Sequence, residues 1–197
     1  MDAFVSIAPH LESEQLKDVA IQINIDGNTL RQIASHLESE DLKEIAIHCC
    51  KSMSGDQLRQ IAPHLESEDL KEIAIHCCKN PDGNTLRQIA SHLESEDLKE
   101  IAIHCCTSMS GDQLRQIAPH LESEDLKEIA IHCCKSLDGN TLRQIAPHLE
   151  SEDLAEIVTK AVKNHGAKSI LSSGITNHID EDDLATAIAN AVSDRNN

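Results

Sequence analysis

The residues whose types could do chemistry come in rows. A His-Cys-Cys triplet occurs four times, at His48-Cys49-Cys50, His76-Cys77-Cys78, His104-Cys105-Cys106 and His132-Cys133-Cys134. Thiolates beside imidazoles are ligands for zinc or copper, so a metal-binding array with one of those ions as cofactor is the most specific chemistry on offer. Spacing works against it. Ligands on one helix converge at i and i+3 or i+4, whereas these three are consecutive, and equivalent residues on neighbouring helices lie about 8–10 Å apart, too far to share an ion. Degenerate copies place Ile23, Ala161 and Ala191 at the first cysteine position, and Asn24, Val162 and Val192 at the second. Five of these six replacements, all but Asn24, are apolar or small, which suits a buried thiol acting as a small hydrophobe.

A second row of imidazoles is present in every copy: His10, His36, His64, His92, His120, His148 and His178. Such a ladder could bind metal or respond to pH. Its place at the end of a helix gives it a structural role instead, donating to a carbonyl one turn back and complementing the negative end of the dipole. The acidic run Glu66-Ser67-Glu68-Asp69 could attract cations, but lacks the glycine turn and alternating ligands of a calcium loop. No glycine-rich phosphate loop, HExxH or CxxC occurs, and repeated identical side chains suit an array better than one active site, so no enzyme is expected.

These rows are carried by a repeat. Leu30, Leu58, Leu86, Leu114 and Leu142 stand 28 residues apart, and residues 27–82 match 83–138 at all but three of 56 positions: Lys51/Thr107, Asn80/Ser136 and Pro81/Leu137. Such near-identity fits recent duplication or a consensus-engineered chain. In each first half, Leu58, Ile61, Ala62 and Leu65 fall at i, i+3, i+4 and i+7, one stripe of an α-helix. Ser54 and Gln57 form a capping box in front of it, and Asp26, Asp82 or Asp138 takes the cap in alternate copies. Pro9, Pro63, Pro119 and Pro147 alternate with Ser35 and Ser91 deep in this helix, where proline bends or ends it. The second half repeats the stripe with Leu70, Ile73, Ala74, Cys77 and Cys78, after Ser67 as expected N-cap and before Lys79 at its C-terminal end. Ile75 lies off that stripe, which predicts burial against the neighbouring repeat.

The expected fold is all-α: an α-solenoid of seven 28-residue helix-turn-helix repeats, with degenerate capping repeats at both ends. Its parts are an N-terminal capping repeat over 1–25, five tandem repeats over 26–165 and a C-terminal capping repeat over 166–197. The first-half anchors run from Phe4 through the five leucines to a last copy around Ser172 to Ile179. Gly166 and Gly174 read as helix ends and turns.

Composition bounds the partners. A net charge of −17 repels nucleic acid and anionic membranes. No apolar run approaches the roughly 20 residues of a membrane span, and the start MDAFVSIAPHL lacks the order of a signal peptide. A cytoplasmic protein with reduced thiols is expected. One Phe and no Trp or Tyr leave a core of Leu, Ile, Ala, Val and Cys.

The segment Ser54-Gly55-Asp56-Gln57-Leu58-Arg59-Gln60-Ile61-Ala62-Pro63-His64 resembles the first helix of transcription activator-like effector repeats, which run T-P-D-Q-V-V-A-I-A-S-H/N. The resemblance implies nucleic-acid binding, with His64 bracing an inter-helix loop by bonding a backbone carbonyl and Leu65 at the base-reading place. That place is Leu11, Leu37, Leu65, Leu93, Leu121, Leu149 and Ile179, too uniform to encode a varied sequence, and the family's following glycine pair is missing. The general plan is similar to HEAT-like solenoids. The resulting expectation is a non-enzymatic structural or protein-interaction scaffold, its partner a protein or further copies of itself. The metal array and a nucleic-acid-binding repeat protein stand as the alternatives.

Overall fold

A computed structural model describes residues 2–49, 54–77, 83–105, 110–133 and 138–193. The predicted Asp82 cap, Lys79, Cys50, Cys78, Cys106 and Cys134 lie outside the described residues, as do the side chains of Cys77, Cys105 and Cys133. The described residues are helical, with no strand among them. They divide into two compact units, Met1–Cys105 and Cys106–Asn197, a boundary that composition does not announce.

The first unit holds α1 (Asp2–Ile7), α2 (Ser13–Gln22), α3 (Gly27–Ile33), α4 (Ser39–His48), α5 (Gly55–Ile61), α6 (Ser67–Cys77), α7 (Gly83–Ile89) and α8 (Ser95–Cys105). The second holds α9 (Gly111–Ile117), α10 (Ser123–Cys133), α11 (Gly139–Ile145), α12 (Ser151–His165), α13 (Ala167–Leu171) and α14 (Glu181–Ser193). Each is a solenoid-type stack of helix pairs. In the first unit α2, α4, α6 and α8 pack in series, and α1, α3, α5 and α7 form the parallel row; in the second, α10, α12 and α14 and then α9, α11 and α13 do the same. The stripes expected from the sequence meet between the rows: Leu30, Ile33, Ala34, Leu42, Ile45 and Ala46 are fully buried, and their counterparts recur in both units. Each such leucine or isoleucine contributes about 1.5–3 kcal/mol by leaving water.

Local chemistry starts α3, α5, α9 and α11 as predicted. Ser54 Oγ accepts from Gln57 N while Ser54 N donates to Gln57 Oε1 at 2.8 Å, and Asp26 and Asp138 accept from Thr29 N and Thr141 N. The helix then tightens into a three-residue 3-10 turn such as Ala62–His64 before the chain extends at Leu65. Proline is not the cause. Ala34–His36, with Ser35 in the middle, makes the same turn after a helix of the same seven residues. Proline is admitted there because the α-helix has already ended and its missing N–H leaves nothing unpaired.

A second correction concerns the expected cap Ser67. Helix α6 begins at Ser67 itself, and the serine hydroxyl turns away from its own helix to the following repeat. Ile75 corrects a third expectation: it and its counterparts Ile47 and Ile131 are only half-buried, and Ile103 is exposed. In the last repeat the anchor is not Ser172, which is exposed. Ile170, in the ordinary register of Leu142, is buried instead, and a two-residue insertion after it moves the counterpart of Ile145 to the buried Ile175; Gly166 and Gly174 stand at φ 82° and 83°. Those positive φ values are open to glycine at little cost: Gly166 ends α12, and Gly174 stands in the turn before the 3-10 segment Ile175–Asn177.

Candidate functional site

The most regular surface feature is a polar ladder between successive even-numbered helices. Ser39 Oγ donates to Asp69 Oδ2 at 2.5 Å and accepts from the Glu66 backbone N–H at 2.8 Å. Lys43 Nζ lies 2.8 Å from Asp69 Oδ1 and 3.1 Å from Glu72 Oε2. One serine thereby satisfies the free N–H at the start of the next even-numbered helix, and one lysine ties down the carboxylate that orients the serine. The unit recurs as Ser13 and Lys17 on Asp41 and Glu44, as Ser67 and Lys71 on Asp97 and Glu100, and, in the second unit, as Ser123 and Lys127 on Asp153 and Glu156. Donors sit on one repeat and acceptors on the following one, so the ladder has a direction.

Ionisation is fixed by these bonds. Burial opposes charge on Asp41, Asp97 and Asp153, but the bonds from the serine and lysine outweigh it and hold the carboxyls below the usual aspartate range. Lys17, Lys43, Lys71 and Lys127 are pushed above the ordinary lysine value, chiefly by their aspartate partners. Charges fixed in this way make the ladder a stacking device rather than a set of proton-transfer groups.

Sequence reasoning missed the ladder because its bonds span about one repeat, whereas a serine before an acidic helical turn reads locally as a cap. A signal was present at the ends. Gln15 replaces the acceptor aspartate in the first repeat, and Ala155, Glu181 and Ala185 replace the donors in the last two.

Outside the ladder, acidic side chains line open grooves between successive even-numbered helices. One groove of about 640 Å³ is bordered by Glu38, Glu40, Glu66, Glu68, Asp69 and Glu72, with Lys43 at its side. The next, about 600 Å³, is bordered by Glu66, Glu68, Glu94, Glu96 and Asp97 with Lys71. The Glu38 and Glu66 side chains bond nothing among the described residues, although their backbone N–H groups serve the ladder. Among the described residues bordering the two grooves, Lys43 and Lys71 are the only cationic side chains.

The residues singled out for metal chemistry fare differently. Cys49 is buried, 4 % exposed, and its Sγ donates to the Ile25 carbonyl of the preceding repeat at 2.9 Å. Burial, helped by the nearby Asp26 charge, pushes its thiol up to about 11, so it stays protonated and is a poor ligand at neutral pH. Its neighbour His48 points to solvent, and no group of three His, Cys, Asp or Glu among the described residues could hold an ion. The imidazoles of His10, His36, His64, His120, His148 and His178 are exposed and that of His92 is half-buried; among the described residues none bonds a carbonyl. They do stand at the ends of the 3-10 turns, so the helix-end position is as expected and the bond is not. His132 makes the bond expected of them, Nδ1 to the Glu128 carbonyl at 3.0 Å. At the base-reading place Leu37, Leu121 and Ile179 are buried and the other four are half-buried, so no row of side chains projects there.

No family model matches the chain, and no curated protein is significantly similar to it. Among the described residues no helix is long and apolar enough to cross a membrane.

Proposed function

We propose that this chain is a non-enzymatic interaction scaffold whose periodic acidic face holds a basic, extended protein segment. The observation that carries the reading is the pair of successive grooves around Lys43 and Lys71, whose rims include the Glu38 and Glu66 carboxylates, which bond nothing among the described residues. A net charge of −17 favours a cationic partner and steers its approach. Equivalent glutamates recur every 28 residues, so a partner with regularly spaced lysines or arginines would gain by multivalency rather than from one strong site. The chain has no tryptophan or tyrosine to act as a binding anchor, which suits many weak contacts better than one tight pocket.

The test is fluorescence anisotropy with a labelled lysine-rich peptide of about seven helical-repeat lengths and a scrambled acidic control. Binding should weaken steeply between low and physiological salt. Glu38→Lys with Glu66→Lys should weaken it further, while the charge-matched double reversal Asp56→Lys with Asp112→Lys, at exposed positions outside the two grooves, should change it little. Equal loss from both variants would reduce the effect to net charge and remove the groove from the account.

The metal-array reading loses support from the protonated, core-packed Cys49, and the effector-type reading from the buried Leu37 and Leu121.

A further inference from the structure

Large apolar side chains left in water are few among the described residues: Ile7 at 47 % exposure, Ile23 at 44 %, Ile103 at 40 % and Val192 at 50 %. Three of the four lie on the faces of the first and last repeats. Ile7, Val19 and Ile23 occupy the register of Ile33, Ile45 and Cys49, all buried, the last two in the second repeat where α2 covers α4. Leu184, Ile188 and Val192 on α14 occupy the register of Leu154, Val158 and Val162, which are buried on α12 where α14 covers it. One face is therefore the uncovered half of the repeat-to-repeat interface, and the other face is its opposite half.

We propose that these two faces fit one another, so that the α14 face of one chain takes the α1–α2 face of a second copy in head-to-tail contact. The argument is continuity. The same kind of interface already joins α2 to α4, α4 to α6 and α10 to α12, and a second copy supplies the surface that an additional repeat would present. Such contact is heterologous, so each copy keeps one free face of each kind and further copies can add, as an open chain or as a ring where the rotation closes.

The polar ladder limits its strength. At the junction the donor positions hold Glu181 and Ala185 in place of serine and lysine, and the acceptor positions hold Gln15 and Asp18. Among the described residues no cation is placed to cross the contact, and Glu181 and Asp182 would come near Glu14 and Asp18. The apolar halves match while the charges repel, so contact should be weak at low salt and strengthen as salt screens the carboxylates. Restoring the missing pair with Ala185→Lys and Gln15→Asp should tighten it several-fold, about fivefold for a partly exposed ion pair.

Sedimentation velocity on the 197-residue chain over a wide concentration range, at low and high salt, gives the first reading. Two single-face variants decide the geometry. Ile23→Glu spoils one face and Val192→Asp the other; each alone should stop growth and remain monomeric. Mixed, they should form a dimer and nothing larger, because one intact face of each kind remains. Dimerisation of either variant by itself overturns the head-to-tail assignment. A wild-type chain monomeric at high salt and at high concentration overturns the contact altogether, as does a mixture that fails to pair while both variants keep their wild-type circular dichroism. This extends the scaffold reading by naming one partner, and neither variant touches the grooves around Lys43 and Lys71, so the two proposals can fail separately.

Discussion

Replacement of Asp97 tests whether the ladder holds the stack. Its carboxylate receives Ser67 Oγ at 2.5 Å on one oxygen and Lys71 Nζ at 2.7 Å on the other, with the two charged side chains 13 % and 16 % exposed. Exposed ion pairs stabilise by about 0.2–1 kcal/mol, and breaking a fully buried pair costs about 3–5. This pair sits between those limits, and its bonds are charge-assisted. Asp97→Ala should therefore cost about 2–3 kcal/mol: the lysine loses its nearer partner, and the Ser67 hydroxyl loses the acceptor that aims it at the Glu94 N–H. Asp97→Asn keeps an acceptor for the serine and loses the charge, so about half that cost is expected. Urea unfolding of the wild type, Lys71→Met, Asp97→Asn and the double variant, followed by circular dichroism in about 0.1 M salt, gives the coupling energy. A value of about 1 kcal/mol or more is expected, with exposed Glu68→Gln as a control within about 0.5 kcal/mol of wild type. A coupling below about 0.3 kcal/mol would show that apolar burial alone sets the stacking, and the ladder would be decoration.

The remaining predictions use the same assays. Gly55→Ala should destabilise by about 1–3 kcal/mol, because a Cβ there would run into the Thr85 side chain of the next repeat; Gly27→Ala, whose Cβ would meet only the flexible end of Gln57, should cost less. Ala155→Lys should stabilise by up to about 1 kcal/mol, since Asp183 already accepts from Ser151 at 2.5 Å and lacks the lysine its counterparts have. The Cys49 thiol, buried and raised to about 11, should react with a maleimide only after unfolding; rapid labelling of the native chain at that residue would contradict its place in the core. Acid should weaken the fold through Asp41, Asp97 and Asp153. Their folded-state values are depressed, so their contribution is present above the unfolded value of about 3.9 and is lost as pH falls through the folded values. The raised lysines contribute below about 10.4 and lose it only at higher pH, which leaves the ladder whole from about pH 5 to 10. Urea midpoints at pH 3 and pH 6 measure this, and the acid loss should shrink in the triple Asp→Asn variant.

Much of the fold was legible because its determinants are local. The stripe of Leu58, Ile61 and Ala62, the Ser54–Gln57 box and the glycine helix end and turn are all written within a few residues of the backbone they shape. Bonds between repeats were not legible. Ser67 meets Asp97 thirty positions later, and a local rule assigns it to its own helix instead. Pro63 misled for a related reason: it fits a turn that Ser35 also makes, so the residue type records tolerance rather than cause. The predicted histidine bond failed because the 3-10 turn leaves His36 and His64 facing water. Most of the cysteine row lies outside the described residues, and Cys49 alone carries the core reading there.

Repetition on a surface invites a functional reading of every repeated residue, and here the stacking chemistry first has to be subtracted. Ser39, Lys43, Asp69 and Glu72 recur because neighbouring repeats must hold one another, which explains their polar identity without any ligand. Gly55 recurs because Thr85 leaves no room for a Cβ. Once those are removed, the repeated exposed groups left without a bond among the described residues include the Glu38 and Glu66 carboxylates, the Arg31 and Arg59 guanidiniums and the imidazoles of His36, His48, His64 and His76. A folding requirement alone would let such positions drift toward any soluble residue, since surface substitutions away from bonded features shift stability by only about 0.5 kcal/mol. Between the near-identical halves 27–82 and 83–138, these positions are the same in both. Duplication accounts for sameness between the halves, but not for the identity already shared by the two 28-residue repeats inside each half, where Asn28 and Asp56, or Ser35 and Pro63, have diverged while Glu38 and Glu66 have not. The scaffold proposal therefore rests most firmly on that carboxylate row, and charge reversal there is the substitution whose effect on binding should exceed its effect on folding.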